Sequence, residues 1–477
     1  MRRSLFALAP ALFLLFATVA CGGSLFVDVA PPTNVVASVT DRTHVHISWT
    51  ASDDADNYMV TRYYAETGAP TGMLTDSTSF DDDFAFLANG HYYYGIQAYS
   101  GADFSTTTYS SVVIPNKYNA VAAMVNSSFA LLDGYLYAWG ENGDGRLGIG
   151  VNVNRTSPVH VLDLDGTRPI AISAKNSHML ALCGENKVYV WGNGDFGKLG
   201  LGDVVFRNTP QHLTALDGKG VTAVSAGEDH SLALCSDGAV YAWGLNSKGQ
   251  LGLGDILDYH TPQRVTALDG KNVISITAGG RCSYALCSDG AVYAWGENGS
   301  GQLGFGDTTE RHTPTRVTAL DDKNVTSIST EFAALFALCG DHTVYVCGSN
   351  SYGELGLGDS ADRHSPTHSL FFDGKSTTAL FGTRWSGFAI CAGPVVYGWG
   401  LSSYGQVGTG TDGDQHSPVH PTFYDDKHPV AIAGGEEFSI VLCENGSVYT
   451  CGQNSSGQLG IGDYVNHNTP QHVTFGD

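Results

Sequence analysis

Positive charge is scarce in this chain. Lys and Arg together number 24 against 47 Asp and Glu, so the formal net charge is -23 at pH 7. A chain of this charge repels phosphate backbones and anionic membrane surfaces, and we therefore expect no nucleic acid partner. Charged residues of both signs make up only 15% of the sequence, whereas there are 60 glycines. This composition favours short strands joined by tight turns, and it predicts an all-β fold.

The chain also has no Cys-x-x-Cys pair, although it contains 10 cysteines. The spacing that is typical of a zinc site or a thiol redox site is therefore missing. Six cysteines occupy one position of a repeat that is described below, and equivalent positions of neighbouring repeats lie beyond the ~7 Å Cα limit of a disulfide. These six are Cys183, Cys235, Cys287, Cys339, Cys391 and Cys443. We predict buried free thiols, no metal site and no cofactor.

The apolar run near the N-terminus, from Leu5 to Phe16, is too short to cross a bilayer as a helix. It follows two arginines, an arrangement that is typical of a signal peptide. The segment Thr18-Val19-Ala20-Cys21-Gly22 resembles a bacterial lipobox, although Leu is usual where Thr18 stands. We expect residues 1–20 to be a signal peptide, Cys21 to be lipidated, and residues 21–29 to be a flexible tether. Cleavage without lipidation is the alternative.

A unit with a period of 52 residues recurs through most of the remaining chain. Its Tyr-x-Trp-Gly segment appears five times, and Cys347 and Cys451, each followed by Gly, stand at the two intermediate positions. The five tryptophans are Trp139, Trp191, Trp243, Trp295 and Trp399. Glycine and Thr/Ser-Pro positions recur in the same seven copies, with no insertion or deletion between them. A repeat of this length indicates a propeller or a solenoid.

Each unit resolves into four pieces of strand length, which is the composition of a propeller blade. The seventh copy ends at Asp477 and lacks its last two strands, whereas residues 120–124 and 129–134 match those two strands. We therefore predict a seven-bladed β-propeller over residues 117–477, closed by N-terminal strands that complete the last blade and leave no open edge.

These repeats, of the form Val-Tyr-Ala-Trp-Gly, then Gly-Gln-Leu-Gly-x-Gly-Asp, then Thr-Pro, resemble the regulator of chromosome condensation repeats. The resemblance covers about three quarters of the chain and implies a seven-bladed propeller. The eukaryotic member of the family exchanges guanine nucleotide on a small GTPase through an inserted β-wedge, for which the uniform repeat length here leaves no room. A secreted inhibitor of β-lactamases and a plant ultraviolet receptor are built on similar repeats.

Residues 30–115 lack this repeat. Pro31-Pro32, Ile47-Ser48-Trp49 and Leu87-x-x-Gly90-x-Tyr92 resemble a fibronectin type III domain. That resemblance implies a β-sandwich, with Trp49 in its core and Tyr92 placed like the tyrosine corner of such sandwiches.

The Asp and His positions that recur from copy to copy are poor candidates for catalysis. An active site needs several unlike groups that converge once, whereas a group present in every copy most often caps a turn. The sequence contains no other set of unlike titratable residues that stands out, so we expect no catalytic residue and no enzyme activity.

Function is expected where the copies differ. Two variable regions carry bulky side chains. The first comprises the turn just before the glycine that aligns with Gly145 and the loop after the Gly-x-Gly-Asp segment, and the second surrounds the Ala-Gly-x-x-His segment. Aromatic and Arg side chains on the loops of a rigid scaffold are typical of protein-binding surfaces. The candidate partner-binding residues are Phe196, Phe332, Tyr352, Arg384, Trp385, Tyr404 and Phe438.

The sequence as a whole predicts an exported scaffold for protein–protein interaction at a bacterial cell envelope. We expect it to be anchored to the membrane through Cys21, or to be secreted if Cys21 is not lipidated. The expected partner is a protein, and the expected state is a monomer. Inhibition of an extracellular enzyme is the main alternative, and regulation by guanine-nucleotide exchange is a further one.

Overall fold

The computed structural model describes residues 30–39, 44–53, 55–64, 71–83, 92–100, 103–109, 119–393 and 395–476. Every regular element in these ranges is a β-strand or a short 3-10 helix, which confirms the all-β prediction. The described strands fall into two compact units, one up to residue 109 and one from Ala120 onward. The predicted signal peptide, the tether, Cys21 and Leu87 lie outside the described residues.

The N-terminal unit contains two antiparallel sheets. One has the order β1-β2-β5, and the other has the order β4-β3-β6-β7, with β8 also paired to β6. The strands are β1 Thr33–Val39, β2 His44–Thr50, β3 Asn57–Tyr64, β4 Thr71–Thr75, β5 Ser79–Asp83, β6 Tyr92–Ser100, β7 Asp103–Phe104 and β8 Thr108–Tyr109. Side chains from both sheets share one buried cluster, in which the rings of Trp49 and Tyr58 lie 5.3 Å apart. Trp49 is thus a core residue, as predicted.

From Ala120 onward the described strands form seven four-stranded antiparallel sheets, numbered 1 to 7 in chain order. Sheet 1 contains β9 Ala120–Ala123, β10 Ser127–Leu132, β11 Tyr135–Gly140 and β12 Arg155–His160. Sheet 2 contains β13 Pro169–Lys175, β14 His178–Cys183, β15 Val188–Gly192 and β16 Arg207–His212. Sheet 3 contains β17 Val221–Ala226, β18 His230–Cys235, β19 Val240–Gly244 and β20 Tyr259–Arg264. Sheets 4 and 5 contain β21 Val273–Ala278, β22 Cys282–Cys287, β23 Val292–Gly296, β24 Arg311–Arg316; and β25 Val325–Thr330, β26 Ala334–Cys339, β27 Val344–Gly348, β28 Arg363–His368. Sheets 6 and 7 contain β29 Thr377–Gly382, β30 Ser386–Cys391, β31 Val395–Gly400, β32 Gln415–Val419; and β33 Pro429–Gly434, β34 Phe438–Cys443, β35 Val448–Gly452, β36 His467–Val473.

Short 3-10 helices connect the outermost strand of one sheet to the innermost strand of the next. They are Leu162–Leu164, Thr214–Leu216, Thr266–Leu268, Thr318–Lys323, Leu370–Phe372 and Thr422–Tyr424. Two further 3-10 turns, Gly184–Asn186 and Asp195–Gly197, lie within sheet 2. Each connecting helix buries one apolar residue, such as Leu268, between neighbouring sheets.

The residues of each strand explain its place in the sheet. All six residues of β18 are buried, because the second strand of a sheet is covered on both faces by neighbouring sheets. In the third strand, β19, Tyr241 is half-buried and the other four residues are buried. The two strands are joined at Asp237-Gly238, where Gly238 has a φ of +79°, a value that glycine adopts readily in a tight turn.

The seven sheets form a closed ring. The innermost strands β9, β13, β17, β21, β25, β29 and β33 contact one another in that order, and β33 contacts β9. The first and last sheets are also joined by hydrogen bonds, since Ser128 Oγ donates to the Gln458 carbonyl at 2.7 Å and Gly462 N donates to Thr156 O at 2.8 Å.

The predicted mode of closure is wrong. Strands β9 and β10 do not complete the last sheet; they pair with β11 and β12, while sheet 7 is built from β33 to β36 alone. The reason is that strands joined by a short turn pair with each other in the same sheet. Strand β10 turns directly into β11 at Asp133-Gly134, so a repeat counted from Tyr-x-Trp-Gly begins in the middle of a sheet.

Candidate functional site

The two variable stretches lie at one end of the strands. In sheet 3, His230 at the start of the second strand pairs with Gly244 at the end of the third, and Leu245 N donates to Asp229 O at 2.8 Å. The loop between the first two strands therefore lies beside the loop between the last two. These two sets of loops are together named the loop face. The loops between the first and second strands are residues 124–126, 176–177, 227–229, 279–281, 331–333, 383–385 and 435–437. The loops between the third and fourth strands are residues 141–154, 193–206, 245–258, 297–310, 349–362, 401–414 and 453–466.

Four of the predicted partner-binding residues meet on this face, in the loops of sheets 5 and 6. The Phe332 and Trp385 rings lie 5.3 Å apart, and the Tyr352 and Trp385 rings lie 5.8 Å apart. The guanidinium carbon of Arg384 lies 5.1 Å from the centre of the Phe332 ring. These four side chains are named the guanidinium–aromatic cluster. All four remain partly exposed, with Tyr352 at 41%.

The Arg384 guanidinium keeps donor groups available. Its Nε lies 3.6 Å from Glu436 Oε1, close enough for an ion pair, but it makes no hydrogen bond in the described structure. A guanidinium has five N–H donors, and its stacking on aromatic rings leaves those at its edge free for an acceptor. Arginine and aromatic side chains in this arrangement are the residues that dominate protein-binding hot spots.

The other three candidates do not join the cluster. Phe438 was expected to contact a partner, but it is 1% exposed and packs in the core between sheets 7 and 1, so that prediction is wrong. The physical reason is that residue 438 begins the second strand of its sheet, where side chains point between sheets. Phe196, 43% exposed, and Tyr404, half-buried, lie on the loop face in sheets 2 and 6, outside the contacts of the cluster.

A cavity of about 220 Å³ lies at the centre of the ring. The innermost strands line it with small residues such as Ala122, Ser225 and Thr277, and Phe332 and Arg384 border it. Lys175 crosses this space from sheet 2, and its Nζ donates to the carbonyls of Ala278 in sheet 4 and Glu331 in sheet 5, at 3.2 Å each. The pKa of Lys175 is lowered because burial removes water from the ammonium group.

Two glutamates stand near this lysine. The pKa of Glu331, whose side chain is fully buried, is raised well above its usual range by desolvation and then by the nearby Glu354. The pKa of Glu228 is also raised, by desolvation and then by Asp229, while Arg281 Nε lies 3.4 Å from its carboxylate. Desolvation therefore disfavours the charged form of each of these three groups.

Lys175, Glu228 and Glu331 are not among the residues that were predicted from the sequence, although a signal for them was present. Lys175 and Glu331 occupy the repeat position at which Gly227, Gly279 and Gly435 stand in other copies. Charged residues that break the repeat in a variable stretch are thus as informative as the bulky ones on which the prediction was based.

Two buried histidines and the repeated aspartates hold the architecture together, and the structural role of the aspartates was predicted. His178 Nε2 and Ser231 Oγ lie 2.9 Å apart between sheets 2 and 3, and His230 and Ser283 repeat this contact between sheets 3 and 4. Both histidines are fully buried, and burial lowers the pKa of His230 to about 3. The repeated aspartates cap turns; for example, Asp255 Oδ1 accepts from Leu257 N at 3.1 Å.

The nine cysteines in the described residues are all buried and free, which confirms the prediction for them. Within the same ranges, no group of three or more His, Cys, Asp or Glu side chains could hold a metal ion. No helix of the described residues is long and apolar enough to cross a membrane.

Family models match most of this ring. The RCC1-like domain matches residues 100–383, and the regulator of chromosome condensation (RCC1) repeat matches residues 395–442 and 445–477. The chain belongs to the RCC1 repeat family. It is similar to the ultraviolet-B receptor UVR8 of Arabidopsis thaliana, with 35% identity over 362 residues that cover 75% of this chain and 82% of the receptor.

One further relative and two solved structures are also similar to this chain. The human E3 ubiquitin-protein ligase HERC2 is 32% identical over 336 residues, which are 69% of this chain but only 7% of the ligase. Among solved structures, human WBSCR16 matches with a TM-score of 0.64 and 23% identity, covering 72% of this chain and 94% of that one. Yeast Prp20p, whose structure was described with its binding to Gsp1p and histones, matches with a TM-score of 0.64 and 22% identity, covering 75% and 88%. At this identity the structures show the shared fold.

Proposed function

We propose that this RCC1 repeat protein is a seven-bladed propeller that serves as a scaffold for protein–protein interaction, and that its partner binds the loop face at the guanidinium–aromatic cluster. One observation carries the proposal. Phe332, Tyr352, Arg384 and Trp385 break the repeat, come from two neighbouring sheets, and form one partly exposed group with unused guanidinium donors. Nothing in the packing of the sheets needs these side chains, because other copies hold Gly280, Ala333 or Ser456 at the corresponding positions.

Binding without catalysis is the activity that this arrangement supports. His178 and His230 are hydrogen-bonded between sheets, and repeated aspartates such as Asp255 cap turns. Light reception, the role named for the plant relative, has no comparable support from the tryptophans. Trp139, Trp191, Trp243, Trp295 and Trp399 are all fully buried in equivalent positions, and Trp385 is the one tryptophan of the loop face.

The remaining parts of the proposal concern the N-terminal region. The two sheets that share the Trp49 cluster are consistent with a fibronectin type III sandwich, which would act as a spacer. The short apolar run and Cys21 support export and a lipid anchor at the cell envelope. Labelling of cells with an alkyne fatty acid tests the anchor, and loss of the label in Cys21→Ser is the expected result.

Crosslinking in cells tests the binding face. The full chain, the double variant Arg384→Ala/Trp385→Ala and the control Phe423→Ala are expressed at equal levels, and crosslinked partners are recovered from the envelope fraction. Phe423 is a matched control, because it is 37% exposed and lies in a connecting helix at the other end of the strands. We expect the cluster variant to lose a partner that the control keeps. Equal recovery by all three chains would overturn the assignment of the cluster.

The identity of a recovered partner also separates the alternatives. An extracellular enzyme whose activity falls on addition of the purified full chain would make the protein an inhibitor. A small GTPase with accelerated nucleotide release would instead make it an exchange regulator, which the uniform repeat length disfavours.

A further inference from the structure

Nine apolar side chains project from the loop face along one side of the ring. They lie in the loop that precedes the last strand of sheets 7, 1, 2 and 3, which follow one another around the ring. Each is between 43% and 64% exposed. They are Tyr464 and Val465 in sheet 7, Val151 and Val153 in sheet 1, Val204, Val205 and Phe206 in sheet 2, and Ile256 and Leu257 in sheet 3. These nine residues are named the apolar arc.

The same loop is polar on the other side of the ring. Sheets 4, 5 and 6 carry there the exposed or half-buried segments Thr308-Thr309-Glu310, Ser360-Ala361-Asp362 and Thr411-Asp412-Gly413-Asp414. Residues 297–310, 349–362 and 401–414 contain eight Asp or Glu and no Lys or Arg. Glu354 is buried, and Asp307, Glu310 and Asp359 form ion pairs with basic residues outside these ranges, which leaves Glu297, Asp362, Asp412 and Asp414 without a basic partner in the described structure. The outer rim of the loop face is therefore apolar along four sheets and acidic along three.

The loop conformation does not require the apolar residues. In sheet 3, Leu257 N donates to Asp255 Oδ1 at 3.1 Å, and in sheet 4, Thr309 N donates to Asp307 Oδ1 at 2.9 Å. In sheet 5, Ala361 N makes the same bond at 3.0 Å. Because Thr and Ala serve the loop as well as Leu, the apolar side chains on four consecutive sheets have no local structural role. Exposed apolar side chains that have no local role favour an interaction site.

We propose that the loop face docks a single protein partner that lays an apolar strip on the apolar arc and places basic side chains against the acidic loops of sheets 4 to 6. This proposal rests on the proposed function and adds the chemistry of the partner. The partner would span the ring, since the arc and the acidic loops lie on opposite sides of the central cavity. The guanidinium–aromatic cluster in sheets 5 and 6 would then lie inside the contact.

Charge selects a basic protein over other occupants of the arc. A second copy that met this face with its own would bring acidic loops close to acidic loops, and like charges in contact are unfavourable. An anionic membrane would repel the same carboxylates, and the net charge of -23 adds to that repulsion. A partner with basic groups beside an apolar strip satisfies both halves of the rim.

Binding of designed peptides to the purified full chain tests the proposal. The probe is a fluorescein-labelled helical peptide of alternating Leu and Lys faces, compared with a Leu/Glu peptide and a Ser/Lys peptide of equal length. The arc variant is Val205→Thr/Leu257→Thr/Val465→Thr, which introduces the residue that sheet 4 holds naturally at Thr309. The control variant is Leu162→Thr/Leu370→Thr, because these residues are 68% and 72% exposed at the other end of the strands.

We expect the Leu/Lys peptide to bind the full chain and the control variant equally, and the arc variant about tenfold more weakly. Its affinity should fall with added salt and in Asp412→Asn/Glu297→Gln, which removes two carboxylates that form no ion pair in the described structure, while the Leu/Glu peptide should not bind. Equal binding of the Leu/Lys peptide to the arc variant would overturn the proposal. So would arc-dependent sedimentation with phosphatidylcholine vesicles or an arc-dependent dimer in analytical ultracentrifugation.

The two proposals fail in different ways. If the crosslinked partner of the envelope fraction depends on Arg384 and Trp385 but not on the arc variant, the proposed function stands and the arc is not part of its interface. If the partner depends on neither variant while the Leu/Lys peptide still requires the arc, the arc binds and the cluster does not.

Discussion

The indole nitrogen of Trp139 donates a hydrogen bond to the backbone carbonyl of Gln458 at 2.9 Å, although 319 residues separate the two in the chain. The same bond joins successive sheets elsewhere in the ring, as in Trp191 to Arg146 O at 3.1 Å and Trp243 to Lys198 O at 2.9 Å. The ring is thus closed by the device that joins its internal sheets. Gly460 permits the contact, because a Cβ there would lie 2.5 Å from Trp139 Nε1.

Replacement of Trp139 by Phe should therefore cost about as much as the same change at Trp243, whose acceptor, the Lys198 carbonyl, likewise keeps a serine hydroxyl donor, that of Ser231. Each variant loses one buried hydrogen bond and leaves a small cavity, and we expect the free energy of unfolding to fall by about 1–3 kcal/mol. The Gln458 carbonyl keeps the Ser128 hydroxyl as a donor, which limits the loss. Urea unfolding measures the effect, with Trp385→Phe as the control at the surface. A loss confined to Trp139→Phe would show that closure differs from the internal contacts.

A tyrosine compensates for one of the missing tryptophans, and the pair predicts a strong coupling. Cys347 stands at a tryptophan position, and the buried Tyr284 of the preceding sheet donates through its hydroxyl to Gln302 O at 2.9 Å, the carbonyl that Cys347 Sγ also contacts. Cys347→Trp alone should overpack this site and cost about 1–3 kcal/mol. In the double variant Cys347→Trp/Tyr284→Leu, position 284 holds the residue that the equivalent position 232 holds naturally, and this cost should largely disappear. A double-mutant cycle measures the coupling, and additive effects would contradict the compensation.

The ion pair between Lys198 and Asp229 predicts a large effect of one partner alone. The Lys198 Nζ lies 2.7 Å from Asp229 Oδ1, and the lysine side chain is only 2% exposed. Asp229→Asn should cost about 3–5 kcal/mol, because it leaves a buried ammonium without its counterion. Lys198→Gln in the same chain should restore most of the stability, since four other copies hold Gln at this position. Glu185→Gln, in an exposed pair with Lys187, should leave stability almost unchanged, because solvent screens the pair.

Burial of His230 and His178 predicts a loss of stability in mild acid. Burial lowers the pKa of His230 to about 3 and that of His178 well below its usual range, so both stay neutral while the unfolded chain takes up protons below about pH 6.5. The contribution of the two neutral histidines to the free energy of unfolding is complete above pH 6.5. As the pH falls, it is lost at about 1.4 kcal/mol per pH unit for each histidine, and for His230 this loss continues to about pH 3. Thermal unfolding between pH 4 and 8 should be less pH-dependent in His230→Gln than in His260→Gln, which changes an exposed residue. Equal slopes would contradict this account.

Much of the fold was predictable because repetition makes a local signal redundant. Seven copies of one strand pattern indicate the same strands seven times, so the glycine turns, the aspartate caps and the buried thiols could be inferred from the repeat. The candidate site was predictable only in part. Breaks in the repeat indicated Phe332, Tyr352, Arg384 and Trp385, but the same reasoning selected Phe438, which is buried between sheets.

The sequence by itself determined the strands of the ring, their order and the positions at which the copies differ, because alternation and turn residues act over a few neighbours. Only the tertiary structure decided which strands share a sheet at the two ends, since hydrogen-bond pairing depends on the short β10–β11 connection rather than on the start of the repeat. It also decided that Lys175 reaches Ala278 and Glu331 across the ring, and that nine separate apolar residues form one arc. Contacts of this kind arise from the curvature of the closed ring, which brings distant copies of the repeat together. The sequence of a single copy therefore contains no signal that predicts them.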